Sequence, residues 1–173
     1  MDVTRCTFPK ASMLDPAVIS AAYFKDSYSA PLSQTDASIT NLFFALFGHH
    51  PLWVKRILIL RNQIASLCGL DVPTPAEIMK VEIKSRYDVG GKIGPWPIFA
   101  LSENELIAGR NNGHLDFRLS ILRITGNGPP RVVVSTICSV HNLFGKLYLF
   151  FIVPFHKWGV KRLIADAVSS GRL

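Results

Sequence analysis

Acidic residues are scarce in this chain. Twelve Asp and Glu stand against 19 Lys and Arg over 173 residues, a formal net charge of +7. Two long stretches hold no acid at all. From 37 to 70 the charged residues are Lys55, Arg56 and Arg61, and from 117 to 165 they are Arg118, Arg123, Arg131, Lys146, Lys157, Lys161 and Arg162. A field of that sign serves solubility, and it also favours anionic ligands, anionic lipid surfaces or nucleic acid. Cysteine is scarce too. Cys6, Cys68 and Cys138 form no CxxC pair, and an odd count closes no disulfide framework, which fits a reducing compartment. The N-terminus lacks a basic region followed by an apolar run, and the longest uncharged apolar run near the C-terminus, 147 to 156, is well short of the roughly 20 residues of a membrane span. The expectation is a soluble cytoplasmic protein.

Motifs for metals and nucleotides are missing as well. The five histidines show no HExxH and no i, i+4 pair, so no metal is expected. The loop GGKIGPWP matches neither GxGxxG nor GxxxxGK[ST], so no nucleotide cofactor is expected. The strand-like segments are mostly aliphatic, without the interleaved aromatic and basic residues of a nucleic-acid platform, which argues against nucleic acid as a partner.

What is present is a clear change of period. Residues 3–8 alternate as a short first strand, and Asp15-Pro16 pairs a capping side chain with a proline at the first helical position, predicting a helix over 17–28 and a polar connector over 29–38. Residues 39–47 form an apolar helical stretch, and WVKRILILRNQIASLCGL spaces Trp53, Ile57, Leu60, Ile64 and Leu67 as one stripe of an amphipathic helix. From residue 78 the pattern becomes strand-like. IMKVEIKSRY alternates imperfectly, and IFALS, ELIAGR, HLDFRLSILRI and RVVVSTICSVH then read as successive strands, punctuated at Asn111-Asn112-Gly113 and at 126–130 by turn chemistry. Asn142 can cap a last helix, LFGKLYLFFIV, which Pro154 must kink or break before it resumes. Because that helix is apolar nearly all round, at least part of it should be enclosed by protein, and burial against the sheet is the preferred expectation for its aromatic residues. One domain over 1–173 results: an α+β arrangement, an antiparallel sheet with helices gathered against one side.

The runs PLWVKRILILRNQIASLCGL, HLDFRLSIL and VHNLFGKLYLFFIVPFHKWGVKRLI, over residues 8–166, resemble an uncharacterised bacterial family, a domain of unknown function. Its members look like START and Bet v 1-like (SRPBCC) helix-grip proteins. The resemblance implies a curved sheet around a long C-terminal helix, with a cavity between them for a hydrophobic or amphipathic small molecule. The basic field would draw an acidic head on such a molecule.

The candidate ligand-binding residues are Arg61, Trp96, His114, Asp116, Arg118, His141 and Tyr148. In HLDFR, period-two alternation puts His114, Asp116 and Arg118 on one side of a strand and Leu115, Phe117 and Leu119 on the other. Two readings stay open for that polar row. It is a ladder of salt bridges on a sheet face, or the floor of a pocket in which His114 and Asp116 act as base and acid and Arg118 stabilises an anion. Arg61, on the shoulder of its apolar stripe, either reaches solvent or pairs with Asp116; Trp96 is a candidate lid, and His141 sits where the last strand becomes the last helix. A third possibility is contact with a membrane surface or partner, through Phe150, Phe151, Phe155 and Trp158 beside Lys157, Lys161 and Arg162.

Overall fold

The computed structural model describes residues 3–49, 52–67, 72–79, 83–126 and 128–173. After β1 (Thr4–Arg5), the Asp15 carboxylate accepts the Ala17 N–H at 2.7 Å and starts α1 (Pro16–Ala21). That helix stops far earlier than its start suggests. Ala22 is extended, and Phe24–Pro31 is β2, not the second half of a helix followed by a connector. The reason is tertiary: all eight residues of β2 pair antiparallel with β7, from Phe24↔Cys138 to Pro31↔Arg131, and Ser27 and Ser135 join their hydroxyls at 2.6 Å within the buried sheet.

Then follow α2 (Ile39–Phe47), whose Ser38 hydroxyl accepts the Asn41 N–H, α3 (Leu52–Leu67), and α4 (Pro75–Met79). Thr74 and Glu77 form a reciprocal capping box on α4. Residues 80–82 lie outside the described residues and 83–88 form no strand, so IMKVEIKSRY contributes none of the described strands. Next come β3 (Lys92–Ile93), β4 (Trp96–Leu101), β5 (Glu105–Asn111), β6 (Leu115–Gly126), β7 (Gly128–Val140) and α5 (Leu143–Ser169). The sheet is antiparallel and seven-stranded, in the order β1-β2-β7-β6-β5-β4-β3, and curves around the helices of one face. It is an α+β, helix-grip-like architecture.

Register assigns each side chain to a face, because directly paired residues point the same way. One row across the sheet runs Arg110 (β5), Phe117 (β6), Cys138 (β7), Phe24 (β2); the next runs Ala108, Leu119, Thr136, Asp26; a third runs Leu106, Ile121, Val134, Tyr28. These rows face α2 and α5. Leu42, Phe43 and Leu46 of α2 and Ile164 and Ala167 of α5 fill the main core against them. The opposite face carries Ile107 and Ile137 and is covered by the N-terminal segment through Phe8, Leu14 and Ile19.

Part of α5 is enclosed by protein, as its composition leads one to expect, but the burial expected for its aromatic residues is overturned. Its outward side chains Leu143, Leu147, Phe150, Phe151, Phe155 and Trp158 are between 54% and 79% exposed. The sheet grips only the inner side, where Gly145, Leu149, Ile164 and Ala167 are buried. Pro154 neither breaks nor ends the helix, which is continuous for 27 residues. It stands on the exposed side, where the carbonyl it deprives of a donor one turn back is open to hydration. In α3, Leu60 is exposed rather than part of a buried stripe. The side chains of Trp53, Ile57, Arg61, Ile64 and Leu67 lie outside those described, and with them the role expected of Arg61.

Candidate functional site

Asp116 and Arg118 of HLDFR lie on the face turned away from α5, whereas His114, just before β6, stands beside the start of that helix. Asp116 meets His141, Nε2 to Oδ2 at 3.1 Å, and also accepts the Asn112 N–H at 3.1 Å. His114 does not pair with Asp116. Its Nδ1 lies 2.9 Å from the Asn142 amide, and its ring packs on Phe144 at 4.8 Å. Arg118 donates to the Phe117 carbonyl at 2.8 Å and stacks over the Phe99 ring at 3.6 Å; burial draws its guanidinium below its ordinary pKa, against the opposing pull of Asp116. These contacts tie the β5–β6 turn to the start of α5. The side-chain Oδ1 of Asn142 accepts the Gly145 N–H and caps α5, its Nδ2 donates to the Gly113 carbonyl, and a β-carbon at Gly145 would sit 2.3 Å from the His114 carbonyl oxygen. Only glycine lets helix and strand approach so closely.

The other face is chemically richer. Under the first half of α5, Leu115, Cys138 and Leu149 are buried, while Phe24, Phe117, Val140, Tyr148 and Val153 around them are only partly covered. They line an apolar seam between helix and sheet. At one side the aromatic rings continue: Phe117 meets Trp96 edge to face at 6.0 Å, and Trp96 meets Phe43 and Phe47 at 5.8 and 5.2 Å. Trp96 is therefore part of a wall within β4, not a loop lid. Arg110, half-buried and in the same row as Phe117, donates to the Pro95 carbonyl at 2.8 Å.

At the other side a polar group sits in apolar surroundings. The Asp26 side chain is 1% exposed; its Oδ1 lies 3.4 Å from His156 Nε2, and its Oδ2 is buried with no hydrogen-bond partner among the described residues. His156 stands edge-on to Phe24 at 5.5 Å, and Lys157 Nζ is 5.9 Å from the same ring. Burial, and then the charge of Asp26, hold the Tyr28 phenol above its ordinary pKa. The same two causes push the Cys138 thiol up to about 12. The fold thus keeps a proton that the unfolded chain releases near pH 9. Stability should fall by about 1.4 kcal/mol per pH unit between about 9 and 12, and urea midpoints across that window should be flatter for Cys138→Ala than for the wild type.

Of the sequence-predicted residues, Trp96 and Tyr148 border the seam, His114 stands beside the start of α5, Asp116, Arg118 and His141 lie at or beyond the opposite face, and Arg61 is outside the described side chains. Sequence reasoning missed Arg110 and Asp26. Alternation along ELIAGRN puts Arg110 on the side of Leu106 and Ala108 and was the available signal for the first. Among the described residues, no group of His, Cys, Asp and Glu side chains could hold a metal. No described helix is long and apolar enough to cross a membrane.

Residues 18–163 match the model of a family described as a protein of unknown function, DUF2867. No curated protein matches the chain.

Proposed function

The chain belongs to the DUF2867 family, and from that premise we propose that it is a binding domain for an amphipathic small molecule with an apolar tail and an acidic head. The row Arg110–Phe117–Cys138–Phe24 carries this reading, because it sets a cation at one end of an apolar strip beneath α5 that is buried at Cys138 and only partly covered at Phe117 and Phe24. An acidic head at Arg110 would gain a charge-assisted hydrogen bond in a weakly hydrated setting. The tail would displace water from Phe117, Tyr148 and Val153. The grip of a curved sheet on a C-terminal helix is also what the likeness to START and SRPBCC proteins leads one to expect of such a ligand. His114, engaged with Asn142 and Phe144 at the start of α5, and Asp116, engaged with His141, give the acid–base alternative no support.

Dodecanoate titrated into the purified protein and followed by native mass spectrometry tests the reading. A one-to-one adduct is expected. Arg110→Ala should weaken it about tenfold or more, the equivalent of one hydrogen bond to a charged group, and Lys10→Ala on the opposite side should leave it unchanged. Absence of the adduct, or equal affinity in Arg110→Ala, overturns the proposal.

A further inference from the structure

The outward face of α5 is a large apolar surface that the fold leaves uncovered. At 100° per residue, Leu143, Leu147, Phe150, Phe151, Pro154, Phe155 and Trp158 fall within an arc of roughly 140°, opposite the buried Gly145, Leu149 and Ala167. Phe150 and Phe151 stack edge to face at 5.3 Å without being covered. Cations border the band. Lys146 and Lys157 lie along one margin and Lys161 and Arg162 at its C-terminal end, all exposed; Arg162 pairs with Asp166, and Lys146 and Lys161 have no ion pair among the described residues. No acid occurs between 117 and 165 to offset them.

We propose that this face docks the protein on an anionic membrane surface, with α5 lying in the plane of the interface, its aromatic residues among the acyl chains and its lysines among the headgroups. Apolar band and flanking cations are what such in-plane helices require, and although α5 is long enough to span, its charged composition leaves it not apolar enough to do so. The charge also selects the occupant. A second copy would bring another chain of net charge +7 against the same cations, whereas an anionic leaflet attracts each lysine near it by about fivefold in partitioning. This docking does not depend on what occupies the seam beneath the helix.

Co-sedimentation of the full chain with phosphatidylcholine vesicles, with and without phosphatidylglycerol, tests it. Binding should be strong only to the anionic vesicles, should fall steeply as salt is raised, and should carry a blue shift of tryptophan emission that Trp158→Phe removes. Phe150→Ser combined with Phe155→Ser should reduce binding at least tenfold, and so should Lys146→Glu combined with Lys161→Glu, with far-ultraviolet circular dichroism unchanged because all four positions are exposed. Equal sedimentation with both vesicle types, or none with either, overturns the proposal. So does a dimer in light scattering that the double serine variant dissolves, which would make the band a self-association face.

Discussion

Glu105→Ala is expected to lower the free energy of unfolding by about 3–5 kcal/mol, read as a shift in the urea midpoint at constant slope. Glu105 is 1% exposed on the face opposite α5. Its carboxylate accepts from the Ser12 hydroxyl at 2.6 Å, the Met13 N–H and the Ser120 hydroxyl. Alanine removes a buried acceptor and strands its donors, one of them within the sheet, where water cannot replace it. Because two of the three donors belong to residues 12 and 13, the loss should also be local. Proteolysis should cut residues 9–22 in the variant under conditions that spare the wild type. Glu105→Gln, which keeps an acceptor, should lose about 1–2 kcal/mol. An unchanged midpoint in Glu105→Ala would show that the N-terminal segment is held by its apolar contacts alone.

Phe43→Ala should be of similar size, about 3–5 kcal/mol. The ring is 1% exposed and is the hub of an aromatic group, with Phe44, Phe47 and Trp96 at 5.3, 5.2 and 5.8 Å. Gly94, in a left-handed turn at φ +51°, brings the β3–β4 hairpin against the same ring. Removing it leaves a cavity that neither a strand nor the hairpin can close without moving backbone. The second readout is optical: Trp96 emission should change in the native variant, since one of its two edge-to-face partners on α2 is gone. Phe155→Ala, on the exposed side of α5, should by contrast stay within about 0.5 kcal/mol of the wild type.

Those two substitutions also separate what was legible in the sequence from what was not. The core face of β6 could be read directly, because Leu115, Phe117, Leu119 and Ile121 alternate with polar residues, and the strand has the length for periodicity to speak. The meander from β4 to β7, the caps at Asp15 and Asn142 and the terminal helix were legible for similar local reasons. β2 was not. FKDSYSAP places Asp26 on the same side as Phe24 and Tyr28, so its inward face is not uniformly apolar, and its partner β7 is more than a hundred residues away. The proline-led helix signal before it therefore extended too far. With β2 misread, Asp26 could not be assigned to the site at all. Burial of the α5 aromatic residues failed differently: a continuous apolar run records affinity for an apolar phase, not whether protein supplies that phase.

The row Arg110–Phe117–Cys138–Phe24 is also a ruler. It crosses three gaps between neighbouring strands, each about 4.8 Å, so its ends are about 14 Å apart. On the binding mode proposed above, a carboxylate at Arg110 would reach Phe24 only with a tail close to that length, which would suit an extended twelve-carbon chain and leave hexanoate short by half the strip. Discrimination by chain length would thus be fixed by strand spacing, a dimension that no single side-chain substitution alters.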